Sequence, residues 1–404
     1  MGAKQIKYVL FTGAGASKAI GLPTMKEFFE IILKNKTDKT AVRVSVALKE
    51  MFPDFNTNYD LEEIMGALYE FEEQYGNYGS QLMLNDNVFI KIAEELRQAF
   101  HVRTRENTLT YADQHIVFEM MKDKFFSEQA NLLDNVKKLT EDLEFCIRCA
   151  YENINDEENY RVYGSFISKL IKEINLPAST SHERYVRMLP IYTTNYDRSI
   201  EELFDITKIE HISDDSGINP TPKTKWKRLL QFTPIEFIDG FDEQTWYREQ
   251  YKLNARDKKF FVPYYKLHGS LYWERKDAQQ KIERFQCGIN IGGNREDLLM
   301  IYPSNKKEIF TDPYYYSHQC LDRDLLQAKK LIVIGFSFRD PKIVEMFKMA
   351  LKHNKGLSIK VIAPSDSWKY PELNAFIEHD RVEHLQYNFG KKDTEEELFE
   401  KIIQ

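Results

Sequence analysis

Six short runs along the chain are almost wholly apolar: Tyr8 to Thr12, Leu189 to Thr193, Tyr264 to Leu267, Leu299 to Tyr302, Leu331 to Ile334 and Ile359 to Ile362. They are rich in β-branched and aromatic residues, which suit a pleated, buried strand. Continuous apolarity, in place of alternation, predicts strands covered on both faces by helices. The expected fold class is therefore α/β, a Rossmann-like doubly wound parallel sheet. From about Lys26 to Arg187 helical periodicity dominates instead. Leu132, Val136, Leu139, Leu143, Cys146 and Ala150 recur at steps of four and three and line one helix face, expected to be buried. The chain is thus expected to divide into a Rossmann-like domain over residues 1–30 and 185–404 and a large helical insertion over 31–184.

Local signals refine this outline. Thr24 with Glu27, and Asp60 with Glu63, have the spacing of capping boxes at helix starts. Asp205 to Arg256, with Asp214-Asp215-Ser216-Gly217 and Asn219-Pro220-Thr221-Pro222, reads as an irregular surface excursion between two sheet strands, placed where a lid could lie.

With 404 residues, 42% hydrophobic and 29% charged, the chain is long and apolar enough for a sizeable ordered core. A net charge of -7 gives no global pull toward nucleic acid or an anionic membrane. No apolar run reaches the length of a membrane span, and Met1 to Ile6 lacks both a signal core and a myristoylation motif, so a cytoplasmic protein is expected. The four cysteines, Cys146, Cys149, Cys287 and Cys320, suit a reducing compartment.

Four polar motifs follow strand-like runs. Gly13-Ala14-Gly15-Ala16-Ser17 has the glycines of a tight turn that lets a pyrophosphate approach backbone amides at a helix start, although the third glycine of the dinucleotide fingerprint is missing. Thr193-Thr194-Asn195-Tyr196-Asp197 crowds polar groups at a strand end, where Asn195 is suited to orient a carboxamide or a water; capping of the next helix is the structural alternative. His268-Gly269 places a group that titrates near neutrality at a third strand end, suited to a general base or to a purely structural role. Gly335-Phe336-Ser337 ends a fourth strand and reads equally as an ordinary turn or as a ribose-facing one.

In this order, with Gly21-Leu22-Pro23 after the first, the motifs resemble the sirtuin family over the sheet-forming parts of the chain. The resemblance implies that NAD is bound across the strand ends. Its pyrophosphate would lie on Gly13, Ala14, Gly15 and Ser17, its adenosine near Gly335 and Ser337, its nicotinamide carboxamide on Asp197, with Thr194 in the adjoining loop. Asn195 and His268 are the implied catalytic pair, Asn195 positioning water and ribose and His268 hydrogen-bonding or deprotonating a ribose hydroxyl.

The sequence departs from sirtuin deacylases in four places. Thr24-Met25-Lys26 replaces the Asp-Phe-Arg that follows Gly-Ile-Pro, Thr194 replaces a glutamine, and the two Cys-x-x-Cys pairs of the structural zinc are absent after the His-Gly. Cys146-Ile147-Arg148-Cys149 lies upstream on a helix face and is read as packing, so no zinc is expected. The phenylalanine-glycine-glutamate segment that deacylases use near acyl-lysine is also absent. What remains implies water as the acceptor, and resembles the prokaryotic sirtuin-like NAD hydrolases of antiphage defence, in which NAD is the substrate and its depletion halts the infected cell. That group implies control by homo-oligomerisation or by a separately encoded partner, a HerA-type DNA-translocating ATPase or an Argonaute-like protein. A silent ADP-ribose-sensing module and an NAD-dependent deacylase or ADP-ribosyltransferase are the rival expectations.

Overall fold

The computed structural model describes residues 5–35, 37–51, 61, 64–65, 68, 132–152, 154–176, 185–210, 220–252, 259–276, 281–284, 298–300, 311–364, 376 and 379–404. The chain forms two compact units. The first comprises Met1–Leu22, Glu152–Met300 and Ile309–Gln404; the second comprises Pro23–Tyr151 and Ile301–Glu308. Helix Ser165–Asn175, on the insertion side of the division expected from sequence, groups with the sheet. Position 184, the expected far boundary, lies outside the described residues.

The strands described are β1 (Ile6–Thr12), β2 (Ile191–Thr193), β3 (Ile235–Ile238), β4 (Phe241–Asp242), β5 (Thr245–Trp246), β6 (Phe260–Lys266), β7 (Gly269–Lys276), β8 (Lys281–Arg284), β9 (Leu298–Met300), β10 (Ala328–Ile334), β11 (Ser358–Ile362) and β12 (Val382–Leu385). Seven make one parallel sheet in the order β12-β11-β10-β1-β2-β6-β3. The central strands are buried along almost their whole length, as continuous apolar runs require. Val9, Phe11, Leu331, Val333, Ile359 and Val361 share a core with the helices Tyr314–Leu325 and Pro341–His353, and Phe11 meets the Phe347 ring edge-on at 5.2 Å. Toward helix Ser165–Asn175, Lys7 donates to Glu173; toward the C-terminal helix Glu395–Ile403, the buried Lys330 Nζ donates to the Ile402 carbonyl at 2.6 Å. Helices therefore flank the sheet as expected, in a doubly wound α/β fold.

Two expectations need correction. Leu299 to Tyr302 was expected among the parallel strands. Instead β9 pairs antiparallel with β7 in a smaller sheet of order β4-β5-β8-β7-β9. Gly269, at φ +82°, turns the chain from β6 into β7, the strand to which β9 then adds. Nor is Asp205 to Arg256 irregular throughout. Thr221 caps helix Pro222–Phe232 by accepting from the Thr224 amide, with Pro222 at the first helical position, and Trp226 anchors that helix by donating to the Leu203 carbonyl at 2.6 Å. After it β3 joins the main sheet beside β6. Of the residues read as turn signals, Thr221-Pro222 is a helix start, and Asp214-Asp215-Ser216-Gly217 and Asn219 lie outside the described residues.

In the second unit, helix Leu132–Glu152 buries Val136, Leu139, Leu143 and Cys146 of the predicted face; Ala150 is half-buried, and the Leu132 side chain lies outside those described. Thr24 and Glu27 form the expected capping box: the Glu27 amide donates to Thr24 Oγ1 at 3.3 Å, and the Thr24 amide donates to Glu27 Oε2 at 3.0 Å. Asp60 and Glu63 lie outside the described residues.

The closest backbone approach in the first unit joins the turns after β1 and β10. Gly335 sits at φ +62°, and a Cβ there would lie 2.1 Å from the Ala16 nitrogen and 2.4 Å from the Gly15 carbonyl carbon. Gly335→Ala is therefore expected to lose stability through left-handed strain of about 1–2 kcal/mol and overpacking of about 1–3 kcal/mol. An unchanged denaturant midpoint would contradict this.

Candidate functional site

Because the seven strands are parallel, the ends of β1, β2, β6 and β10 release all four polar motifs along one edge of the sheet. After β1 the chain fills one side with β2, β3 and β6, then crosses to build β10, β11 and β12 on the other. Such a reversal opens a crevice at the carboxyl ends of the two diverging strands, the usual ligand position in doubly wound sheets. Here those strands are β1 and β10.

At that point the glycine turn lies on the backbone of the other. The Gly13 amide donates to the Ile334 carbonyl and the Gly15 amide to the Gly335 carbonyl, each at 2.9 Å. A Cβ on Gly13 would come 2.7 Å from the Gly335 oxygen. The glycines are thus required first for the contact between β1 and β10. Ala14, half-buried, starts a helix of five residues, Ala14–Lys18.

Ser17, Asn195 and Asp197 converge in one buried network. Asn195 Nδ2 donates to the Gly13 carbonyl at 3.1 Å and to Ser17 Oγ at 2.8 Å. Ser17 Oγ has one proton, which it donates to Asp197 Oδ2 at 2.7 Å. The Tyr163 hydroxyl, 3.3 Å away, must then donate to Ser17. Burial, the nearby Asp197 charge adding to it, pushes the Tyr163 phenol well up, so it keeps its proton. Asp197 Oδ1 accepts from the Ser199 amide at 2.9 Å and from its hydroxyl at 2.5 Å. The carboxamide contact expected of Asp197 therefore meets a carboxylate occupied on both oxygens, which braces the turn. Ser17, only 2% exposed and saturated by its three partners, is likewise part of that brace.

The Asn195 amide can be oriented in only one way. The reverse assignment would set Oδ1 against the Gly13 carbonyl oxygen with no proton between them. Oδ1 is consequently left buried without a hydrogen-bond partner among the described residues. Its loop is held from beneath by Lys266, fully buried at the end of β6. The Lys266 ammonium donates to the Asn195 carbonyl at 3.3 Å and to the Asp197 carbonyl, and lies 3.3 Å from Glu201 Oε1. Thr194 is half-buried, its amide donating to the Thr12 carbonyl at 3.1 Å.

His268 is buried beyond β6, with Nε2 2.9 Å from Asp340 Oδ2 and Nδ1 unpartnered among the described residues. Thr193 of β2 pairs with Lys266 of β6, so Asn195 and His268 each stand two residues past the last paired position of adjacent strands. Asp340 also caps helix Pro341–His353 through Oδ1. Burial alone would raise its carboxyl; the hydrogen bond from His268 and the cap amides outweigh this and hold it below its ordinary value. Nearby, His318 donates from Nδ1 to the Tyr314 carbonyl at 2.8 Å, and burial, with Lys342 adding to it, takes it down to about 4.

The structure thus gathers Gly13, Gly15, Ser17, Asn195, Asp197 and Gly335 into one contact and sets His268 on the next strand end. Ser337 is exposed, with no contact bringing it into this group. Sequence reasoning missed Tyr163, Lys266 and Asp340. A lysine closing the otherwise apolar β6 was a visible signal for the second; Asp340-Pro341 reads from sequence only as a helix cap. Among the described residues no cluster of three or more His, Cys, Asp or Glu side chains is placed to hold a metal ion. Cys146 and Cys320 are buried free thiols, and Cys287 lies outside the described residues. No described helix is long and apolar enough to cross a membrane.

Ser17→Ala strands Asn195, Asp197 and Tyr163 together and is expected to cost about 3 kcal/mol, the upper end for unmatched buried polar groups. Tyr163→Phe leaves Ser17 its other two partners and should cost about 1 kcal/mol. Equal losses in chemical denaturation would show that Ser17 is not the hub. Below pH 6.5 the unfolded chain protonates His318 while the folded chain resists until about 4. Stability is therefore expected to fall as pH drops through that window. His318→Gln should flatten the slope, and an unaltered slope would count against it.

Residues 190–385 match the family model described as SIR2-like domain. The match takes in β2 to β12 with Asn195, His268, Gly335 and Asp340, and begins after the glycine turn. No curated protein matches the chain. Solved structures with which it aligns include a mutant Sir2 homologue in complex with 2′-O-acetyl ADP ribose, at 13% identity and a TM-score of 0.38 over 98% of this chain and 92% of that one. A Sir2 homologue in complex with NAD aligns at 13% identity and a TM-score of 0.36, covering 98% of this chain and 88% of that one. With its motifs at the ends of a doubly wound parallel sheet and this match across eleven of its strands, the chain carries a SIR2-like domain over residues 190–385.

Proposed function

We propose that the protein is an NAD+ hydrolase that cleaves the nicotinamide–ribose bond to release nicotinamide and ADP-ribose. The observation that carries this reading is the pair of buried, unpartnered acceptor atoms, Asn195 Oδ1 and His268 Nδ1, at matching positions beyond β2 and β6. Cleaving this bond builds positive charge on the ribose, and preorganised acceptors at strand ends favour such a charge. The reaction balances as NAD+ and water giving nicotinamide, ADP-ribose and one proton. Asn195 holds water and ribose hydroxyls through Oδ1; His268 takes the proton. Asp197 and Ser17 fix the Asn195 amide, and Lys266 fixes its backbone.

Water as acceptor is supported by the sequence at Thr24-Met25-Lys26, which lacks the deacylase motif, and by the missing acyl-lysine segment. The resemblance to antiphage NAD hydrolases supports a cytoplasmic role, as defence by NAD depletion. Restraint of so damaging an activity falls to a homo-oligomer or to a separately encoded HerA-type ATPase or Argonaute-like protein.

Purified chain, alone and with its neighbouring gene product, is expected to convert NAD to nicotinamide and ADP-ribose. Asn195→Ala and His268→Ala are each expected to slow turnover by roughly 10²- to 10⁴-fold. Tight ADP-ribose binding with no turnover under either condition would replace the hydrolase with a sensor, and acyl-ADP-ribose would indicate a deacylase.

A further inference from the structure

The geometry points to Asp340 as the positioning residue that fixes His268 in the Nε2–H tautomer and so leaves Nδ1 as its proton-accepting atom. This rests on the hydrolase reading for its role in turnover, although the tautomer itself does not.

Asp340 has two oxygens with separate duties. Oδ1 accepts from the Lys342 amide at 2.9 Å and the Ile343 amide at 3.2 Å, which pins the carboxylate to the start of helix Pro341–His353. Oδ2 is thereby aimed at His268 Nε2, 2.9 Å away. A carboxylate only accepts, so the ring proton belongs on Nε2. Nδ1 then carries a lone pair in a buried position where no described group donates to it.

The loop supplying the carboxylate is held unusually firmly. Gly335 at φ +62° and Phe338 at φ +58° bracket it. A bulky residue in the left-handed region persists only where its surroundings over-determine it. Phe338 is 3% exposed and packs on Phe336, Phe347 and Phe376. Ionisable groups beside the pair include Lys342 and His318. Burial keeps His318 neutral near pH 7, so it adds no competing cation.

Asp340→Asn separates capping from tautomer control. The cap amides hold the carboxamide oxygen where Oδ1 now lies, so the carboxamide NH2 faces His268. A donor there obliges Nε2 to accept, and the ring proton moves to Nδ1.

Long-range nitrogen–proton NMR of protein labelled with ¹⁵N-histidine reads this directly, with the His268→Gln spectrum assigning the signal. His318, whose Nδ1 donates to the Tyr314 carbonyl, is an internal standard for the opposite tautomer. The expected result is Nε2–H for His268 in the native chain and Nδ1–H in Asp340→Asn. Turnover should fall roughly 10²- to 10⁴-fold with KM little changed. Should Asp340→Asn not fold, Asp340→Ser keeps a capping oxygen while withdrawing the carboxylate, and must still lose the single-tautomer signal.

Native His268 protonated on Nδ1, or a tautomer indifferent to both variants, overturns the assignment. A switched tautomer with undiminished NAD hydrolysis overturns its role in turnover. A switched tautomer in a chain that hydrolyses no NAD leaves the assignment standing and defeats the hydrolase reading alone.

Discussion

The Ser17 hydroxyl has one proton and room for two incoming ones, and the organisation of the strand ends follows from that count. Its proton goes to Asp197; its lone pairs receive Asn195 and Tyr163. Since the Gly13 carbonyl can only accept, the Asn195 amide nitrogen is committed on both protons, and its oxygen is left buried without a partner among the described residues. Three segments distant in sequence, the Gly13 to Ser17 turn, Tyr163 and the Asn195 to Asp197 loop, are tied by hydrogen bonds whose directions are all determined. No rotation of one side chain leaves the others satisfied.

This network needs a backbone frame that brings its members within reach. Gly335 and Gly13 supply it, since a Cβ on either would drive the ends of β10 and β1 apart. The same contact consumes the Gly15 amide, so the turn serves the sheet before any ligand. On the other side of β1, Lys266 carries its ammonium beneath the Asn195 loop. Burying a charge there is costly, and the Glu201 carboxylate together with two loop carbonyls offsets it. Replacing that ion pair with apolar groups would suit a core; it would leave the loop's carbonyls unsupported.

What was legible in the sequence is what depends on local pattern. Continuous apolar runs revealed β1, β2, β6, β10 and β11, and glycines or polar residues directly after them marked the strand ends. The order of those ends brought out Asn195 and His268. The remainder depends on contacts between distant positions. Tyr163 lies in a helical stretch read as insertion, and nothing in its neighbourhood shows that it donates to Ser17. Asp340 shows a cap and hides its second oxygen's partner, 72 residues away. β3 and β12 are short, with charged residues at Glu236 and Glu383, and lie toward the sheet's margins, so the apolar-run criterion passes over them. Thr221-Pro222 was misread because proline suits a turn and a first helical position equally.

Two acceptors, Asn195 Oδ1 and His268 Nδ1, are buried without hydrogen-bond partners among the described residues. Folding does not ask for this. An unmatched buried acceptor costs about 1–3 kcal/mol, and a chain under selection for stability alone could fill either position with an apolar side chain. Each acceptor is instead held in place by a dedicated support: the Ser17 and Gly13 contacts for Asn195, the Asp340 carboxylate for His268. Supports that preserve an unfavourable state make sense when that state is what the site presents to a ligand. Asn195 and His268 each stand two residues past the last paired position of adjacent parallel strands, and under the proposed hydrolase reading one polyhydroxylated ligand lying across the strand ends would donate to both acceptors.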